Sequence, residues 1–161
     1  MGKINYGRVI LGGIVAGIVL DILGYLVDGV LLAPRWAADM KLLSHAEAFT
    51  GAQFTLFSLL GLASGLGTVW LYAAIRPRFG AGMQTAICAG MFVWFMGTLL
   101  PNASFMYATR LFSRHLTLCT TLGAIVEVAV ASVAGAALYK EASPAPVAQS
   151  LHPEAQRPVR A

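Results

Sequence analysis

Three acidic residues lie inside long apolar stretches of the chain, where a charged side chain is costly. They are Asp21, Asp28 and Glu127. An ionised carboxylate near the middle of a bilayer costs on the order of 2.5 to 3.5 kcal/mol even on insertion scales. The apolar stretches carry no Lys or Arg at the depth of Asp21 and Glu127. Because intramembrane acids are typical of proton relays and cation pathways, these three residues are the candidates for chemistry.

Two of these acids are predicted to lie at the same depth. Asp21 follows Val9 by 12 residues and Glu127 precedes Tyr139 by 12 residues. At helical rise this is roughly 18 Å, close to the bilayer midplane. If their helices are neighbours, the two carboxyls would titrate as a pair, with at least one protonated or in contact with water. Alternatively, neutral carboxyls hydrogen-bond to each other or to nearby hydroxyls and only hold helices together.

Small and polar residues recur near these acids at helical spacing. The candidate intramembrane polar site comprises Asp21, Glu127, Asp28, Ser58, Thr68 and Thr120. The glycines expected to let helices approach closely are Gly13, Gly17, Gly24, Gly61, Gly65, Gly123 and Gly135. In the first stretch, the glycines and both aspartates are spaced by three or four residues, which predicts one shared face. Asp28 lies near the outer end, within expected reach of Arg110 or Arg114.

The elements that must position these residues follow from composition. Of the 161 residues, 58% are apolar and 11% are charged, against roughly a quarter charged in soluble domains. Four continuous apolar stretches cover about 9–32, 54–75, 83–100 and 116–139. Each is long enough for a spanning helix, and none alternates with the period of two that barrel strands need. The sequence predicts an all-α polytopic membrane protein, with residues 1–141 forming a bundle of four transmembrane helices.

The connections between these helices differ in character. Between helices 1 and 2, the apolar residues Trp36, Met40 and Leu43 recur at helical spacing, opposite the polar residues Arg35, Asp39 and Glu47. This pattern predicts a short interfacial helix with its polar face in water. Pro101 is expected to end the third helix, and 101–115 to lie in the interface. Residues 76–80 are expected to form a tight turn. The proline-rich residues 142–161 are expected to be a disordered cytoplasmic tail.

Basic residues predict the orientation of the chain. In an alternating topology, seven basic residues fall on the side of the termini and four on the other side. This excess predicts that both termini are cytoplasmic. The opening stretch Ile4–Gly13, INYGRVILGG, resembles small four-helix bacterial integral membrane proteins of unknown function. That resemblance implies the inner (plasma) membrane and no particular activity.

The remaining reactive residues predict neither a metal site nor an enzyme. Cys88 and Cys119 lie at different depths, roughly 15 Å apart, and the histidines lack ligand spacing. We therefore expect no cofactor, no nucleic-acid partner and no catalysis. The expected partners are the lipid bilayer and, in a homo-oligomer, a second copy of the chain. Two hypotheses for function stay open. One is a small transporter or channel-like protein that moves protons, small cations or small metabolites past Asp21 and Glu127, and the other is a non-catalytic membrane assembly or accessory module.

Overall fold

The structure, a computed structural model, describes residues 4–45 and 50–141. Over this part of the chain it is helical and contains no strand. The five helices are α1 (Tyr6–Leu31), α2 (Ala33–Leu42), α3 (Gly51–Phe79), α4 (Met83–Thr109) and α5 (Arg114–Ala137). Of these, α1, α3, α4 and α5 are long and apolar enough to cross a membrane, which confirms the four predicted spanning helices. The predicted tail 142–161 and Glu47 lie outside the described residues.

Small side chains fill the interior, and large apolar side chains cover the outside. Helix α1 packs against α3 and α5, and α4 packs against the same two helices. The fully buried positions include Ala16, Ala89 and Ala131. By contrast, a row of isoleucines at every fourth position of α1, from Ile10 to Ile22, is 42–55% exposed. Such an arrangement suits a lipid environment, where small residues let helices pack closely and apolar side chains face the acyl chains.

One end of the molecule contains both chain termini of the helical domain. The backbone N–H of Asn5 donates to Oη of Tyr139 at 3.4 Å, and the N–H of Gly82 donates to Oη of Tyr72 at 3.4 Å. The two tyrosine rings meet edge to face, with centroids 5.9 Å apart. We call this the terminal end, and the opposite end, which carries α2, the α2 end.

Helix α2 is fixed to the start of α5. The backbone N–H of Ser113, the residue before α5, donates to Oδ2 of Asp39 at 2.8 Å, and the ring of Trp36 meets that of Phe112 edge to face at 5.3 Å. Asp39 is only 8% exposed, so its predicted position on a water-facing surface is wrong. The physical reason is that the N–H groups at the start of a helix have no partner inside the helix, and a carboxylate satisfies them well. The spacing of polar residues within α2 does not show such a partner.

Two helices continue past prolines where the sequence predicts a helix end or a turn. Helix α4 continues past Pro101 to Thr109, through π-helical turns at Phe95–Leu99 and Phe105–Thr109, and ends at Arg110 with φ 51°. The π-helical turn before Pro101 already breaks the α hydrogen-bond ladder, so the missing proline N–H costs less. Where a tight turn over 76–80 is predicted, α3 continues through Pro77 to Phe79, and the following Gly80 has a φ of 87°, which favours glycine.

Candidate functional site

A cavity of about 550 Å³ lies between α1, α2 and the beginning of α3. It exists because α1 and α3 separate toward the α2 end: every residue of α3 from 51 to 60 is exposed. Its polar side chains are Asp21, Asp28 and Ser58, and its aromatic ones are Tyr25, Trp36, Phe54 and Phe57. The rest of the wall consists of Leu20, Ile22, Gly24, Leu26 and Gly29. The cavity therefore combines two carboxyls with apolar and aromatic walls.

Asp28 is held by the indole of Trp36. The indole N–H donates to Oδ1 of Asp28 at 3.2 Å. Asp28 lies in the π-helical turn Tyr25–Leu31 that ends α1, and π-helical turns are frequent at functional sites. Within the described residues, Asp28 is thus paired with Trp36 of α2, and not with Arg110 or Arg114 as the sequence suggested.

Asp21 faces α3, where a glycine leaves room for its carboxyl. A methyl group on Gly61 would overlap Oδ1 of Asp21 and come within 2.8 Å of its Cγ. The residue type at position 61 therefore decides whether the Asp21 side chain fits between α1 and α3. Because Asp21 also lines the cavity, Gly61 controls one of the two carboxyls available there.

Glu127 lies on α5, on the other side of α1. It is 9% exposed, its Oε2 lies 3.6 Å from the position a methyl group on Gly24 would take, and its Oε1 is buried without a hydrogen-bond partner. Gly24 lies one helical turn before Asp28 on α1. The two acids predicted to pair therefore meet different neighbours of α1, because Asp21 faces Gly61 of α3 while Glu127 of α5 lies against Gly24.

The hydroxyls of the predicted polar site do not all join the acids. Ser58 lines the cavity with Asp21 and Asp28. The hydroxyl of Thr68 donates to the carbonyl of Ser64 in its own helix at 2.8 Å, and that of Thr120 donates to the carbonyl of Thr117 at 3.0 Å. Thr120 also lines a separate, smaller cavity of about 100 Å³ behind Trp36.

Glycines mediate the contacts of α1 with its two neighbours. Toward α3, a methyl group on Gly65 would come within 2.7 Å of Cα of Gly17, and one on Gly13 within 2.7 Å of Cα of Leu66. Toward α5, a methyl group on Gly135 would come within 2.7 Å of the carbonyl oxygen of Gly12. A methyl group on Gly123 would come within 3.0 Å of Cγ1 of Val27 on α1. These backbone approaches hold α1 in the position from which its aspartates reach the cavity.

The sequence did not single out the aromatic wall. Tyr25, Phe54 and Phe57 are not part of the predicted polar site, and Trp36 is predicted only as a residue of the interfacial helix. The signal was present in the spacing: Phe54 and Phe57 precede Ser58 and Gly61 on one face of α3, and Tyr25 follows Asp21 by one turn of α1. Extending each polar face by one helical turn would have found them.

Polar contacts between α4 and α5 were also missed. The side-chain amide of Asn102 donates to Oγ1 of Thr121 at 2.8 Å, and the indole N–H of Trp94 donates to the Thr121 carbonyl at 2.9 Å. These bonds join two helices on the side away from the acidic cavity. Their role is therefore in packing, and they leave the cavity as the place where charge, space and access coincide.

The donor set limits what the cavity can bind. Among the described residues, no group of three or more His, Cys, Asp or Glu side chains could hold a metal ion. The carboxyls can accept hydrogen bonds, exchange protons or neutralise a cation, and the aromatic rings can stabilise a cation through their faces. Comparison with protein-family models, with curated proteins and with solved structures gave no match.

Proposed function

We propose that this protein is a small, non-enzymatic cation transporter or channel-like protein whose intramembrane carboxyls accept the transported species. The observation that carries the proposal is the cavity of about 550 Å³ that contains Asp21 and Asp28 between three helices. A volume of 300–1,000 Å³ is typical of small-molecule sites. Acids retained at membrane depth despite their cost are by default functional residues.

The position of Glu127 supports movement and not only binding. Among the described residues its Oε1 is buried without a hydrogen-bond partner, and its Oε2 lies against Gly24, one helical turn before Asp28 of the cavity wall. Asp28 thus stands between the cavity and a second, more buried acid. A cation or proton that reaches Asp28 would have a further acceptor available, as a relay requires.

We also propose how the helices are arranged and oriented in the membrane. The four long helices form a bundle in a bacterial inner (plasma) membrane, with both termini cytoplasmic and the α2 end outside. Helix α2 lies in the outer interface with Trp36 at the headgroup level. The seven-to-four distribution of basic residues and the shared terminal end of Asn5 and Tyr139 support this orientation.

The test is cation flux into vesicles reconstituted with the purified full-length protein. Asp21→Asn, Asp28→Asn and Glu127→Gln should each lower the flux of protons, sodium or an organic cation at least tenfold. Glu141→Gln is the matched control, since Glu141 is an acid at the terminal end, 3.8 Å from Arg76 and remote from the cavity. Equal flux in all four variants and in protein-free vesicles would rule the proposal out.

A second candidate is an assembly module, favoured by the exposure of the start of α3. Residues 51–60 are exposed throughout, including Phe54 and Phe57. A second copy of the chain would bury this half-helix. If assembly is the function, cysteines introduced at exposed positions of 51–60 should cross-link between copies. The three acid substitutions should then abolish the dimer, and the natural protein should show no cation flux.

A further inference from the structure

The cavity holds two carboxyl groups, those of Asp21 and Asp28. Among the described residues that line it, none is basic. Two carboxyls in an apolar setting favour an occupant that brings positive charge, because ionised groups without a partner are costly there. Charge complementarity therefore points to a cation, and not to an anion or a neutral lipid chain.

The spacing of the carboxyls argues against a small inorganic ion. Asp21 and Asp28 are seven residues apart along α1, about 10 Å at helical rise. Metal ions such as calcium and magnesium need several oxygen ligands within about 2.0 to 2.6 Å of one centre. Beyond the two carboxyls, Ser58 is the polar side chain in the lining. The two acids can act together only on a larger occupant that extends between them.

The lining residues of the cavity indicate the chemical class of that occupant. Between the two acids the lining is aromatic and aliphatic: Tyr25 lies on α1, Trp36 on α2 and Phe57 on α3. Aromatic faces stabilise organic cations through the negative face of the ring. Trp36 also donates to Oδ1 of Asp28. The same side chain thus positions an acid and lines the cavity.

We infer that the transported species is a bulky organic cation with an apolar body, bound in the cavity between α1, α2 and α3 with its charge between Asp21 and Asp28. The inference rests on the proposed transport function and names its substrate class. The observations that carry it are the cavity itself, the two carboxyls in its wall and the aromatic and aliphatic side chains between which they lie.

The experiment measures binding of tetraphenylphosphonium to the purified full-length protein in lipid nanodiscs. Tetraphenylborate, of similar shape and opposite charge, is the matched probe. We expect saturable binding of tetraphenylphosphonium, a loss of affinity of at least tenfold in Asp21→Asn and in Asp28→Asn, and no saturable binding of tetraphenylborate measured alone. Asp28→Glu, which keeps the charge, should retain binding, and Glu141→Gln should bind like the natural chain.

The results that would overturn the organic-cation inference differ from those that would overturn the transport function. If tetraphenylphosphonium does not bind, or binds equally to the Asp21→Asn/Asp28→Asn double variant, the organic-cation inference is overturned. Proton or sodium flux that still depends on the acids would then leave the proposed transport function intact, whereas acid-independent flux would overturn both. A phospholipid that stays bound at one molecule per chain under saturating tetraphenylphosphonium, as measured by native mass spectrometry, would assign the cavity to lipid and overturn the inference.

Discussion

The indole N–H of Trp36 donates to Oδ1 of Asp28 at 3.2 Å, and this bond joins α2 to the final, π-helical turn of α1. Trp36 also packs edge to face on Phe112, just before α5 begins. One side chain therefore links three helices at the α2 end and sets the orientation of a cavity carboxyl. The position of Asp28 depends on α2 as well as on its own helix.

Trp36→Phe tests that dependence. The phenyl ring preserves an aromatic face but cannot donate to Asp28, and hydrogen bonds to charged groups contribute about 1.5–3 kcal/mol. We expect a loss of cation affinity or flux of roughly tenfold or more in a folded protein, measured in the nanodisc and vesicle assays. Trp70→Phe, at a position 49% exposed on the outside of α3, is the control. Equal effects of the two substitutions would show that the indole N–H has no special role.

Gly65→Ala should destabilise the packing of α1 on α3. The added methyl would come within 2.7 Å of Cα of Gly17 and 2.5 Å of the carbonyl of Gly13, so backbone and not a flexible side chain must move. Overpacking of this kind costs typically 1–3 kcal/mol. Gly67→Ala in the same helix meets nothing within 4 Å and is the matched control. Unfolding of the solubilised protein in increasing denaturing detergent would measure both, and a loss confined to Gly67→Ala would contradict the packing.

The sequence was sufficient for the four spanning helices because continuous apolar stretches of that length have few alternatives. It was also sufficient to find Asp21, Asp28 and Glu127, since acids stand out in such stretches. It could not assign their partners. A spacing of three or four residues defines a face, but the π-helical turn after Gly24 and the openings at Gly61 and Gly24 decide which neighbour each acid meets.

The irregular regions escaped prediction for local reasons. Pro101 is an ordinary helix-ending signal, and only the π-helical turn at Phe95–Leu99 allows α4 to continue through it. The buried state of Asp39 depends on Ser113, which is 74 residues away along the chain. No sequence window relates these two positions. Long-range capping of this kind becomes visible only once the helices have been packed.

Asp39→Ala should loosen the joint between α2 and α5. It removes the acceptor of the 2.8 Å hydrogen bond from the Ser113 N–H, and loss of a helix-start acceptor costs about 1 kcal/mol, within a range of 0.5–2. Asp39→Asn keeps an acceptor oxygen and should lose less. Hydrogen exchange at the first turn of α5 measures the change directly. Equal protection in the natural protein and in Asp39→Ala would contradict a capping role.

The orientation predicts the outcome of reporter fusions. Fusions after Gly80 and after Lys140 should report cytoplasm, because both lie at the terminal end with the larger number of basic residues. Fusions near His45 and near Arg110 should report the opposite side. Spin labels would then locate α2, with residues 40 and 43 in lipid. The inverse pattern of fusions would reverse the orientation while leaving the fold unchanged.

Glu127→Met should stabilise the protein and reduce its function. Glu127 is 9% exposed and its Oε1 has no hydrogen-bond partner, so the folded chain bears the cost of a desolvated carboxyl. An unsatisfied buried polar group costs about 1–3 kcal/mol, and methionine has a similar volume without that cost. We expect the denaturing-detergent midpoint to rise and cation flux to fall at least tenfold.

Two further variants determine how that result is interpreted. Glu127→Gln keeps polar atoms in the same space, so it should reduce flux like Glu127→Met while gaining less stability. Glu127→Asp keeps the acid but shortens its reach toward Gly24 and Asp28, and partial flux is expected. A stability that drops in Glu127→Met would mean that the carboxyl holds α5 against α1. Stability gained together with flux lost is the result expected of a residue kept for function against its folding cost.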